Sequence, residues 1–98
     1  MPALNETIHQ TARLRVMAVL VTLDPTAEVE FTYLRGLLDL TDGNLGAHLR
    51  KLEEAGFITL NKTFVDRKPR TFVSVTNEGR IVFKEHVEAL ESILKNKE

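Results

Sequence analysis

The chain has 98 residues, 43% hydrophobic and 28% charged, with no cysteine and a formal net charge of -1 at pH 7. Such a length makes one small domain with a modest core, and the composition is that of an ordinary globular protein. The lack of cysteine excludes disulfides, thiolate metal sites and thiol catalysis; the longest apolar run, 16–21, is too short to span a bilayer and carries no signal-peptide layout, so a cytoplasmic address is expected.

No repeat, low-complexity stretch or linker interrupts the chain, and residues 1–98 read as a single domain. From about Glu6 to Leu23 a helix is expected. Leu14, Met17 and Val21, with Val16, Val19 and Leu20, make its second half apolar almost all round, so it has to be covered on more than one side. Pro25 stops it. Val29-Glu30-Phe31 reads as a short edge strand, after which Thr32 caps a second helix carrying Leu34, Leu37 and Leu38, and 39–42 make a turn.

A third helix, about 41–55, starts at Thr41 or Asp42, both good N-caps, and puts Leu45, Leu49 and Leu52 on one inward face. At 100° per residue, Gly43, Asn44, Ala47, Arg50, Lys51 and Glu54 then point outward, with Gly46 and His48 on the flanks. Gly56 ends this helix as a C′ residue. The pattern switches to period 2 over Phe57-Ile58-Thr59-Leu60 and resumes at 71–75, so 57–75 is a β-hairpin whose polar, cationic tip spans Val65 to Arg70.

Thr76, helped by Glu78, caps a last helix over about 77–95. Val82, Phe83, Val87, Leu90, Ile93 and Leu94 form one broad stripe on it, opposite Lys84, Glu85, Glu88, Glu91 and Lys95. That stripe exceeds what one small core needs. A domain this small, without a covalent staple, gains stability from a second copy, so the stripe, together with Leu14 and Met17 of the first helix and His86, is assigned to a homodimer interface.

Charge is unevenly placed. Between Asn44 and Arg70 six basic residues (Arg50, Lys51, Lys62, Arg67, Lys68, Arg70) face three acids (Glu53, Glu54, Asp66), which points to a polyanionic partner despite the negative total. His9, His48 and His86 lack metal-ligand spacing; His86 reads as a packed or interface residue, and His48 as one that meets phosphate or packs on the second helix. No Gly-rich phosphate loop, H-E-x-x-H, paired acids or Ser-His-Asp pattern is present, so neither catalysis nor a metal or cofactor is expected. No polar cluster marks a small-molecule effector site.

The pieces ARLRVMAVL, LTDGNLGAHLRKLEEAGFI and DRKPRTFVSVTNEGR, with the helix that follows, together resemble the compact MarR/ArsR-type winged helix-turn-helix transcriptional regulators over nearly the whole chain. The resemblance implies a mostly helical α+β fold, with a two-stranded wing and a C-terminal dimerisation helix. It also implies that the third helix reads the major groove of double-stranded DNA while the wing touches the flanking backbone or minor groove. Those roles fall on Asn44, Ala47, Arg50, Lys51, Arg67, Lys68 and Arg70, with Thr41, Gly43 and His48 beside them. Asn44 suits adenine, Ala47 a thymine methyl, and Arg50 guanine or phosphate. Gly46 and Ala47 donate no side-chain hydrogen bonds, so base readout is expected to be sparse. A dimeric repressor is the expected function, with a winged-helix protein-interaction module as the alternative.

Overall fold

In the computed structural model, which describes residues 3–95, the elements follow in the order α1 (Thr11–Val21), β1 (Val29–Glu30), α2 (Phe31–Leu38), α3 (Asp42–Glu54), β2 (Ile58–Val65), β3 (Lys68–Val75) and α4 (Asn77–Lys95). This is the mostly helical α+β architecture expected, with a winged hairpin between α3 and α4. The three strands form one antiparallel sheet in the order β1-β3-β2. Ile8, Val16, Met17, Leu20, Leu34, Leu45, Leu49, Leu52 and Val73 make the fully enclosed core beneath it.

Two helix starts differ from expectation. α1 begins at Thr11 and not near Glu6, because Gln10 is extended (φ -151, ψ 132) and its side chain accepts from Arg13 N at 2.8 Å. Residues 6–8 form a separate turn, in which Asn5 Oδ1 accepts from Ile8 N at 3.0 Å and Ile8 is buried. α2 begins at Phe31 with Glu30 as N-cap, so β1 is only Val29–Glu30 and Thr32 lies inside the helix, its hydroxyl donating to the Glu30 carboxylate. Leu34 and Leu38, four apart, take the buried line of α2, and Leu37 is left facing out.

The hairpin is tighter than 65–70. Ile58 pairs with Val75 and the register runs without a break to Val65 opposite Lys68, leaving a two-residue turn at Asp66 and Arg67. Both have positive φ (52 and 66), the signature of a type I′ turn, whose twist matches that of the strands. Pro69 therefore sits within β3. It lies one pair beyond the hydrogen-bonded pair that closes the turn, so its missing N–H would point away from β2, toward an edge that β1 does not reach.

α3 and α4 are fastened together where the hairpin begins and ends. Gly56, at φ +85, reverses the chain after α3. Thr76 N donates to Phe57 O at 3.0 Å, Thr76 Oγ1 donates to Gly56 O at 2.7 Å, and the same hydroxyl oxygen accepts from Gly79 N at 2.9 Å. Gly79 is buried so closely against this turn that a β-carbon there would lie 2.2 Å from Phe57 O.

Candidate nucleic-acid interface

α3 is held by the three leucines, all within the core, and by its N-terminus, where Thr41 Oγ1 accepts from Asn44 N at 3.1 Å. Arg35 of α2 donates to Asp42 Oδ1 at 2.7 Å, tying the preceding helix to this end. Gly43, Asn44, Ala47, Arg50 and Lys51 are all exposed on the outer face, as the 100° spacing required. Thr41 shares the face, but its hydroxyl oxygen is occupied as the cap. Gly46 has a use that its chemistry alone did not suggest: the Arg50 guanidinium lies above it, with Nη1 3.7 Å from where a β-carbon would stand.

Opposite this flank stands the hairpin. Strand alternation puts Ile58, Leu60, Lys62 and Phe64 on one sheet face with their partners Val75, Val73, Thr71 and Pro69. The inner part of that face covers the core, and the outer part looks across a cleft of about 340 Å³ at Gly46, Arg50 and Glu53 of α3. Lys62 belongs to this cleft. Its basic charge alone does not place it there, but the two-residue step from inward-facing Leu60 is a signal for its direction.

Arg67 and Lys68 are exposed at the hairpin end, and among the described residues neither takes part in an ion pair. Arg70 does not join them. It lies on the other sheet face, where its Nη1 meets Glu30 Oε2 at 3.2 Å, and the Glu30 carboxyl is held below its usual range chiefly by the Thr32 hydroxyl, with Arg70 adding to the effect. His48 also departs from expectation: Arg13 Nη1 donates to its Nδ1 at 3.1 Å, so it packs on α1 and not α2, and burial followed by the nearby guanidinium lowers its pKa.

The residues assigned to a dimer surface separate into two groups. Met17 and His86 are both 0% exposed and lie inside the protomer, which corrects their placement on a surface. His86 Nδ1 accepts from Asn5 N at 2.9 Å, its ring stands 5.4 Å from that of His9, and among the described residues its buried Nε2 has no partner; burial first, and His9 second, lower its pKa. Leu14, Val82 and Phe83 are half-buried against the core. Val87 and Leu90 are half-buried too, but Ile93 and Leu94 are 57% and 82% exposed, because α4 runs past the body that covers its first turns.

Among the described residues no three His, Asp or Glu side chains gather as a metal site, and no helix is long and apolar enough to cross a membrane. The geometry is an exposed helix face and a basic hairpin on the two sides of one cleft.

Comparison with known proteins agrees. A family model described as a winged helix DNA-binding domain matches residues 12–94. An uncharacterized protein of Methanocaldococcus jannaschii is 38% identical over 88 residues, covering 90% of this chain and 92% of that protein. The structure of a transcriptional regulator homologue from Pyrococcus horikoshii superposes with a TM-score of 0.83 at 32% identity, covering 94% of this chain and 88% of that one. A PadR family transcriptional regulator from Eggerthella lenta follows the same path with a TM-score of 0.63 at 25% identity, over 93% of this chain and 84% of its own. With α3, the wing and the joint between them matched over one continuous span, the chain belongs to the winged helix DNA-binding domain family and is not an enzyme.

Proposed function

We propose that the protein is a homodimeric, cytoplasmic transcriptional regulator that acts as a repressor by occupying a two-fold operator. The observation that carries the reading is that Arg50 of α3 and Lys62 of the hairpin line one cleft, while Asn44, Ala47 and Lys51 are exposed on α3 and Arg67 and Lys68 at the hairpin end. Asn44 and Ala47 are the base-reading pair, toward adenine and a thymine methyl. Arg50, Lys51, Arg67 and Lys68 grip the backbone, and Lys62 lies where a phosphate strand would pass between helix and wing. Thr41 and Gly43 lie where the backbone comes close to DNA, whereas His48 and Arg70 hold the scaffold. The exposed end of α4, with Ile93 and Leu94, supports a two-fold contact that sets two reading helices about one DNA turn, ~34 Å, apart.

The test is binding to selected genomic fragments as a function of salt. Four phosphate contacts per protomer give a log-log slope of roughly -3 to -4, doubled in a dimer, and replacing Arg67 and Lys68 together by alanine lowers it by about 2 per protomer on all sequences. Leu94→Asp shifts the sedimentation of the protein toward a monomer and weakens operator binding. Absence of a salt-dependent DNA shift in the folded wild-type protein, with capture of a protein partner that needs no DNA retained in the double variant, would support the interaction-module reading in its place.

A further inference from the structure

The hairpin end is apolar as well as basic. Phe64 is 73% exposed, the most exposed aromatic ring among the described residues, and it stands directly across from Pro69. Strand alternation puts this pair on the sheet face that carries Lys62 and Thr71, the face that looks across the cleft toward Arg50. Val65 and Lys68 form the next pair outward, on the opposite face. Between the strands Arg67 holds φ +66, a conformation that glycine adopts freely and a long side chain does not.

The geometry points to Phe64 and Pro69 as an apolar wedge that enters the DNA minor groove beside the reading helix and opens a base step there, so that the protein bends the duplex it binds. This inference rests on the DNA-binding reading above and adds how the site deforms its substrate. Three features select this occupant. First, a two-stranded ribbon, with strands about 4.8 Å apart before side chains are added, is too broad for a minor groove about 6 Å wide, so only side chains at its end can enter. Second, Lys62 lies on the same face as the pair and Arg67 in the adjoining turn, with Lys68 on the opposite face and one acid, Asp66, beside them, a net positive end that suits the negative potential of the minor groove and opposes a purely apolar partner. Third, Pro69 lacks the N–H that a strand added at the open edge of β3 would require, so the wing end is a poor template for pairing with another chain.

Apolar side chains that enter base steps in this way unstack them and bend DNA by about 20–90° toward the major groove. The experiment uses the full chain and a 30-base-pair duplex selected by the wild-type protein from random-sequence DNA, with fluorophores at its ends to report the end-to-end distance. Wild type is expected to shorten that distance on binding. Phe64→Ala removes more than half of the shortening and weakens binding with an unchanged salt slope, whereas Phe64→Leu keeps both bend and affinity. Arg67→Ala lowers the slope by about 1 and leaves most of the bend. Phe64 is exposed, so all of these variants retain the fold, which circular dichroism checks. A straight duplex in the wild-type complex, or a Phe64→Ala complex bent like wild type, overturns the wedge while leaving DNA binding intact. Failure of the wild-type protein to select any duplex overturns both readings. A lower oligomeric state in Phe64→Ala assigns the ring to a contact between copies and also overturns the wedge.

Discussion

Gly79→Ala adds one methyl group, and the structure gives it a cost. The new β-carbon would lie 2.2 Å from Phe57 O, 3.0 Å from Phe57 C and 3.0 Å from Val75 Cγ2. Two of those atoms are backbone at the turn where α3 gives way to β2, so relief requires moving α4 away from that turn. Overpacking of this kind costs about 1–3 kcal/mol, and a contact this short with backbone belongs at the upper end. The movement also strains the Thr76 cap, worth about 1 kcal/mol, which offsets the gain of about 1 kcal/mol from alanine's better helix propensity. The net expectation is a loss of about 3 kcal/mol, equivalent to a fall in Tm of roughly 12–24 °C for a domain of this size. Gly36→Ala is the matched control: nothing lies within 4 Å of its β-carbon and it sits inside α2, so the same change should stabilise by up to about 1 kcal/mol. Thermal and urea melts followed by circular dichroism measure both. Equal effects in the two variants, or a Gly79→Ala protein melting within a few degrees of wild type, would refute the close approach of α4 to Phe57.

Two further expectations concern the wing and the buried histidine. Arg67→Gly relieves the left-handed backbone at the turn and should raise stability by about 1 kcal/mol while lowering the salt slope of DNA binding by about 1, so chemical melts and salt titrations should move in opposite senses. His86 and His48 both have pKa values below the ordinary histidine value of about 6.5, so near and below that pH the unfolded chain binds more protons than the folded one. Their contribution is present above about pH 6.5 and is lost as the pH falls; urea midpoints at pH 7.5 and 5.5 should differ in that direction, and less so in His86→Leu.

What was legible in the sequence was mostly local. The leucines at 45, 49 and 52, the reversal at Gly56, the Thr76 cap and the switch to period 2 each depend on residues within a few positions, and all stand where the spacing put them. What escaped depended on distant partners. Glu30 draws Arg70 away from the hairpin end across 40 positions, and Arg13 claims His48 from 35 positions away. The turn at residues 6–8 and its Ile8 anchor could not be separated from a helical run without knowing that Asn5 docks on His86, 81 positions later. An apolar stripe reports that a face is covered and not by what, so the pattern alone does not separate the enclosed Met17 and His86 from the exposed Ile93 and Leu94.

The fastening of Thr76 and Gly79 onto Gly56 and Phe57 makes α4 a lever with its pivot at the C-terminal end of α3. The 19 residues of α4 extend about 28 Å. A rotation of about 10° at the pivot therefore swings the far tip by about 5 Å. In the proposed pair, the crossing of the two long helices would set the distance between the two α3 helices, and the stiffness of this one hydrogen-bonded joint would set how far that distance can vary.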